Sequence, residues 1–214
     1  MRIIEPDAKI IMLNAINGVD ICKHIEKCGR VCYKSEGKIT DDSYISFIKK
    51  IIERGHEAVL EHYSVTIKFI CDRGVSHEIV RHRLASYCQE STRYCNYNKD
   101  DFGCEITVIK PCYLVEKTKG YLDWKGSCEK AETAYFDMLE FGCKPQEARA
   151  VLPNSLKTEV MMTANLREWR HFFKLRCSKA AHPQMREVAF KALVAMQKYI
   201  PVIFDDVADE VLPF

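Results

Sequence analysis

The chain has 214 residues, with 32 lysines and arginines against 30 aspartates and glutamates, a formal net charge of +2 with histidine neutral. Hydrophobic residues make up 47% and charged residues 29%, near the globular average, which excludes a disordered tail, a collagen and a coiled-coil rod. A chain this long buries about 70% of its unfolded surface, enough for a core, and an anion site on so nearly neutral a chain has to be local.

The opening Met1-Arg2-Ile3-Ile4-Glu5-Pro6-Asp7 sets acids and a proline where a secretory signal needs an apolar run. No later stretch approaches the roughly 20 apolar residues of a membrane span, so a cytoplasmic protein with no membrane partner is expected. Thr40-Asp41-Asp42 offers helix caps, after which Tyr44, Ile45, Ile48, Ile51 and Ile52 recur at helical spacing as far as Gly55. Residues 64 to 72 alternate, Val65, Ile67, Phe69 and Cys71 against Ser64, Thr66, Lys68 and Ile70, and predict a half-buried strand. Residues 75 to 84 read as helix, and 105 to 110 as a strand ended by Pro111.

From 121 to 141 the apolar positions Cys128, Ala131, Tyr135, Met138 and Leu139 share one helix face, with Gly142 after it. Pro145 suits the first turn of a short helix that stops before Pro153. Leu156, Thr158, Val160, Met162 and Ala164 share one side of a strand, and Asn165 with Glu168 has the spacing of a capping box for a helix through Leu175. Met185, Ala189, Leu193, Met196 and Ile200 mark a last helix over about 184 to 199. With no repeat, no flexible linker and no regular βαβ rhythm, the expected fold is α+β, one domain spanning 1–214.

Eleven cysteines are an odd number in a chain read as cytosolic, which favours reduced thiols over a disulfide framework. No C-x-x-C occurs, and His56 and His62 lack the H-E-x-x-H spacing, so no metal site is expected. The chemistry concentrates in Arg81-His82-Arg83-Leu84-Ala85-Ser86-Tyr87-Cys88-Gln89-Glu90-Ser91-Thr92-Arg93-Tyr94. Successive helical residues rotate by about 100°, so the first three cannot share a face and have to address different partners. On charge alone the triplet reads equally as a solvated helix end or as an anion site in which arginine forks hold phosphate. Its arginines interleaved with Tyr87 and Tyr94 also fit a nucleic-acid-binding module, against which the small net charge counts.

Arg81-His82-Arg83, seven residues and then Ser91 resembles the R-H-R-x7-S signature of the flavin-dependent thymidylate synthases. Gly55-His56-Glu57 with Glu61-His62 upstream, and Ala148-Arg149 through Val151-Leu152-Pro153 and Asn165 through Leu175-Arg176 downstream, resemble further segments of that family in its order. The sequence departs from it at Cys88, Gln89, Cys32 and Glu78, where members often carry Asn, Glu, Ser and Gln. The resemblance implies a mainly antiparallel sheet packed with helices, assembled as a homotetramer whose sites draw on several subunits. It also implies FAD as cofactor, NADPH as reductant, and dUMP and methylenetetrahydrofolate as substrates, with dTMP and tetrahydrofolate as products.

Carried over position by position, the resemblance makes Arg81, His82, Arg83 and Asn165 flavin contacts, with Glu61 and His171 beside them. Ser91, Arg93, Arg149, Arg176, Gln89 and Glu78 become the nucleotide site. Arg176 is similar to the arginine that reaches the pyrimidine, where a fixed cation stabilises developing negative charge. His56 resembles the histidine beside flavin and folate, although taken alone it reads as a helix end. Trp169 and Phe173 form an ordinary helix stripe with Leu166 and are expected in the core.

Overall fold

The computed structural model describes residues 1–11, 17–98 and 103–211. Strands β1 (Arg2–Ile4) and β2 (Asp7–Ile11) precede helices α1 (Gly18–Cys32) and α2 (Ser43–Glu53). Strand β3 (Ser64–Asp72), helix α3 (Arg73–Ile79) and strands β4 (Ala85–Gln89) and β5 (Thr107–Ile109) follow. Helices α4 (Lys119–Glu140) and α5 (Pro145–Ala148), strand β6 (Lys157–Asn165) and helices α6 (Leu166–Arg176), α7 (Pro183–Tyr199) and α8 (Asp205–Val211) complete the order. The fold is α+β, as the sequence predicts.

Four strands pair in the order β2-β3-β6-β4, and β1 pairs with β5 in parallel. Strands β3 and β6 run antiparallel: Leu166 N donates to Tyr63 O at 3.0 Å, Arg73 N donates to Leu156 O at 3.1 Å, and the hydroxyls of Thr66 and Thr163 lie 2.8 Å apart. Both strands keep the predicted alternation, with Val65, Ile67, Phe69 and Cys71 buried on one and Thr158, Val160, Met162 and Ala164 on the other.

Helix α2 stops where the sequence says. Gly55 takes φ +70°, and Gly55 N and His56 N donate to Ile52 O and Ile51 O at 2.9 and 2.8 Å, a Schellman ending. The predicted helix over 75 to 84 is shorter. It begins at Arg73, capped by Asp72, whose Oδ1 accepts from Val75 N at 2.8 Å, and ends at Ile79. Arg81, His82 and Arg83 lie outside any helix, which settles the question of shared faces, and 85 to 89 are recruited as strand β4.

Residue contacts gather into two compact units between which the chain passes along β3, β4 and β6. The first comprises Met1–Asp7, Phe69–Arg81 and Cys88–Val160. Its core is Tyr97, Ile106, Val108, Cys128, Tyr135, Ala148 and Leu156. The second comprises Ala8–Lys68, His82–Tyr87 and Met161–Phe214, and α6 is central to it. Trp169, Phe172 and Phe173 are fully buried, the indole N–H donating to Val65 O at 3.0 Å, so the expected stripe is core. Among the described residues no helix is long and apolar enough to cross a membrane.

Candidate active site

Helix α6 has two faces because apolar and polar residues alternate along it at helical intervals. Opposite the buried aromatics, Arg167, His171 and Lys174 fall four and three residues apart and line a cavity of about 650 Å³ in the second unit. Glu57, Glu61, Asn165 and Glu168 line it as well. Three of the residues expected at the flavin, Glu61, Asn165 and His171, are therefore brought together. Carboxylates and cations are paired there: Arg167 donates to Glu61 at 2.6 Å, and the buried Arg170 bonds Glu57 at 3.2 Å and Asp206 at 2.6 Å. These partners escaped the sequence reading, although the i, i+4, i+7 spacing of Arg167, His171 and Lys174 was legible.

Asn165 caps α6, its Oδ1 accepting from Glu168 N at 2.9 Å. The carboxylate of Glu168 does not return to close the capping box. It accepts instead from His82 Nδ1 at 3.0 Å, while Arg176 Nε lies 3.1 Å from His82 Nε2. An arginine nitrogen can only donate, so Nε2 accepts and Nδ1 carries the proton. The result is a chain Glu168–His82–Arg176 linking the middle of the basic triplet to both ends of one helix. Burial, the largest influence, pushes His82 below its ordinary value, the Glu168 hydrogen bond works against this and the Arg176 charge works with it. His82 is thus neutral at physiological pH, as its role of acceptor requires. Tyr87 donates its hydroxyl to His82 O at 2.6 Å, and burial pushes that phenol up to about 12.

Because both ring nitrogens of His82 are engaged and the residue is buried, the side chain orients Arg176 and has no free nitrogen to offer a flavin. His171 stands edge-on to its ring at 5.7 Å, and ligand-type atoms of His82, Glu168 and His171 lie within 4.8 Å of one another. The spacing would suit a metal ion, but the Arg176 guanidinium on the far nitrogen sets a full positive charge beside it and opposes a cation there. Arg83 is exposed in the same unit, and Arg81 is exposed in the first, neither with an acidic partner among the described residues.

The expected nucleotide residues Glu78, Gln89, Ser91, Arg93 and Arg149 belong to the first unit and Arg176 to the second. Gln89 donates to Ser76 Oγ at 2.9 Å and Thr158 Oγ1 at 3.3 Å, so its amide nitrogen is held within the fold. Ser91 Oγ accepts from Arg93 N at 3.3 Å, and Arg149 reaches Thr92 Oγ1 at 3.3 Å. Arg93 lies over the exposed ring of Tyr94, 5.5 Å from its centroid. Glu78, half-buried, sits at the end of α3, and its carbonyl accepts from Arg81 N at 3.2 Å.

His56 closes α2 through its backbone and also bonds Tyr33, Nδ1 to hydroxyl 3.0 Å, at the edge of a second cavity. None of the eleven cysteines is joined in a disulfide. Cys177 beside Arg176 is buried, which pushes its thiol up to about 12, Arg186 countering only in part. A thiol so protonated is no nucleophile.

The family described as thymidylate synthase complementing protein matches residues 18–202, which takes in every candidate residue above. The chain belongs to that family. Flavin-dependent thymidylate synthases are its relatives: the protein of Pyrococcus abyssi is 35% identical over 75% of this chain, and that of Geobacter sulfurreducens 34% over 83%. The match takes in 66% of the length of the Pyrococcus protein and 78% of the Geobacter one. A crystal structure of a UMP/dUMP methylase, PolB, from Streptomyces cacaoi bound with 5-Br dUMP superposes with a TM-score of 0.78. The match covers 98% of this chain and 97% of that one at 21% identity, a likeness of fold.

Proposed function

We propose that the protein catalyses the reductive methylation of dUMP to dTMP, with FAD as cofactor, methylenetetrahydrofolate as carbon donor and NADPH as reductant, releasing tetrahydrofolate. The observation that carries this reading is the unbroken Arg81-His82-Arg83-x7-Ser91 segment inside a family match that runs from 18 to 202. In support, relatives are flavin-dependent thymidylate synthases, and the dUMP methylase of like fold binds a dUMP analogue.

The residues fit a flavin nucleotide. The α6 cavity is large enough for a substantial part of one, and Asn165, Arg167, His171 and Lys174 give it polar lining. Its carboxylates are already bonded to Arg167, Arg170 and His82, so Arg83, exposed in the same unit, is a surplus cation for the diphosphate, and Arg81 is assigned to the flavin on the sequence signature alone. Bound flavin supplies a hydride carrier between NADPH and the one-carbon unit. Arg176, its Nε held by His82, presents a fixed cation to the pyrimidine and lowers the energy of negative charge as carbon 5 attacks. Ser91, Arg93 and Arg149 hold the nucleotide, with Glu78 and Gln89 in lesser parts, and His56, steadied by Tyr33, stands at the folate.

We assign the chain one catalytic domain, acting in the cytoplasm as a homotetramer, with no nucleic acid as partner. The exposed Arg93–Tyr94 pair is the feature that favours nucleic-acid binding instead. The deciding experiment is thymidylate formation with and without added FAD and NADPH, alongside the flavin absorbance of the protein. Turnover that depends on FAD is expected. Well-folded protein that binds no FAD and makes no thymidylate overturns the reading.

A further inference from the structure

A second cavity, of about 260 Å³, lies in the second unit where α1 and α2 end. Arg30, Lys38, Lys50 and Arg54 line it, and His56 with its partner Tyr33 forms one edge. Arg30 is committed, since it bonds the buried Glu26 at 2.7 Å and covers the Phe47 ring at 4.8 Å. Lys38, Lys50 and Arg54 have no acidic partner among the described residues. Cations near helix C-termini ordinarily answer the macrodipole, worth about half a charge at each end. Two helix ends therefore account for about one of the three unpaired charges and leave a surplus of about two facing one small concavity. Like charges held together in this way repel unless an anion joins them.

We propose that this cavity is a subsite for a multiply charged anion, namely the chained γ-glutamyl carboxylates of the folate co-substrate. The inference rests on the proposed thymidylate synthase reading, which sets the folate at His56. His56 lines the same cavity as Lys38, Lys50 and Arg54, so a tail leaving the folate there enters a concavity that holds three cations. The phosphates of the nicotinamide dinucleotide share this anionic chemistry and are the competing source.

The test compares wild type with the triple variant Lys38→Ala, Lys50→Ala, Arg54→Ala. All three side chains are exposed and have no acidic partner among the described residues, so the triple variant is expected to fold. Steady-state KM is measured for mono- and triglutamylated methylenetetrahydrofolate and for NADPH and NADH, and binding of tri-γ-glutamate alone is followed by calorimetry at low and high salt. Wild type is expected to prefer the triglutamate about tenfold, or about 1.4 kcal/mol, and the variant to lose that preference. Equal KM values in wild type, or a preference that survives in the variant, overturn the proposal. A variant that instead loses its discrimination between NADPH and NADH also overturns it, in favour of the dinucleotide phosphate. If tri-γ-glutamate binds wild type in a salt-sensitive way and not the variant, but no thymidylate forms, the subsite stands and the activity assignment falls.

Discussion

In the proposed mechanism Arg176 is the side chain on which most of the chemistry depends, and its Nε is held by a histidine that is itself held by a carboxylate. Arg176→Ala is expected to lower kcat at least about 100-fold, the usual cost of removing one fixed donor from developing charge. Arg176→Lys recovers little, because a point charge cannot both reach His82 and present a planar fork. Replacing His82 with Asn leaves the cation but frees its orientation, and a loss of about 10- to 100-fold in kcat is expected. The sign of the pH effect follows from Glu168, whose hydrogen bond raises His82 against burial. Protonated His82 cannot accept from Arg176, so turnover falls on the acid side, at a pH below the ordinary imidazole value. Glu168→Gln removes the raising influence and moves that acid limb to lower pH. A limb that stays in place in the kcat profile contradicts the positioning role. The thiols behave differently: Cys177→Ser and Cys88→Ser are expected to keep substantial turnover, since the one is buried and protonated and the other has no assigned partner. Loss of turnover in either, with flavin bound, reinstates a thiol nucleophile.

At the scale of elements, close approach and caps decide stability. Gly18 begins α1 beside the end of α7, and a Cβ there would stand 1.7 Å from Tyr199 O. No rotamer relieves a backbone clash, so Gly18→Ala is expected to cost about 3 kcal/mol, measured as a lower urea midpoint at unchanged slope. Asn165→Ala removes the α6 cap and is expected to cost about 1 kcal/mol. The same substitution weakens flavin binding if Asn165 touches FAD as proposed, which titration of the variant resolves. The helix predicted over 75 to 84 ends at Ile79, and the chain beyond it turns into strand β4. Residues 85 to 89 bury alternate side chains, Ala85, Tyr87 and Gln89 being half-buried while Ser86 and Cys88 are exposed, a period of two that favours the strand.

For the whole molecule, the anchoring of α8 to α6 gives a stability prediction with a defined pH dependence. Burial alone would raise Asp206, but the Arg170 hydrogen bond and charge outweigh it and hold the carboxyl below its usual range. A carboxyl depressed in the native state contributes stability above its unfolded value and loses it as pH falls through the native one. Asp206→Asn is therefore expected to cost about 2 kcal/mol near neutrality, less than for a fully buried pair because the carboxylate is half exposed, and to flatten the acid side of a denaturation series. His82 adds to acid lability in its own window. The unfolded chain takes the proton first, so stability falls between the ordinary imidazole value and the lower native one. Light scattering is expected to give four times the mass of one chain. A fully active monomer removes the tetramer from the proposal.

Residues close in sequence decided much of this protein without reference to anything distant. Strands β3 and β6 and helices α2, α4 and α7 are legible because period 2 and period 3.6 are local properties of the chain. The R-H-R-x7-S segment carried the family for a similar reason, since the matching residues lie within eleven positions of one another. Helix α1 was legible too, with Asn17 as cap and Ile21, Cys22 and Ile25 on one face, and went unread. Strand β1 was not, since three residues acquire their structure only from the parallel partner β5, about a hundred positions away. His82 lies 86 residues from Glu168 and 94 from Arg176, and no spacing rule links them. The sequence could name His82 as a functional residue. Only the tertiary structure decided that its ring holds an arginine, because hydrogen bonds act over about 3 Å of space, whatever length of chain lies between the partners.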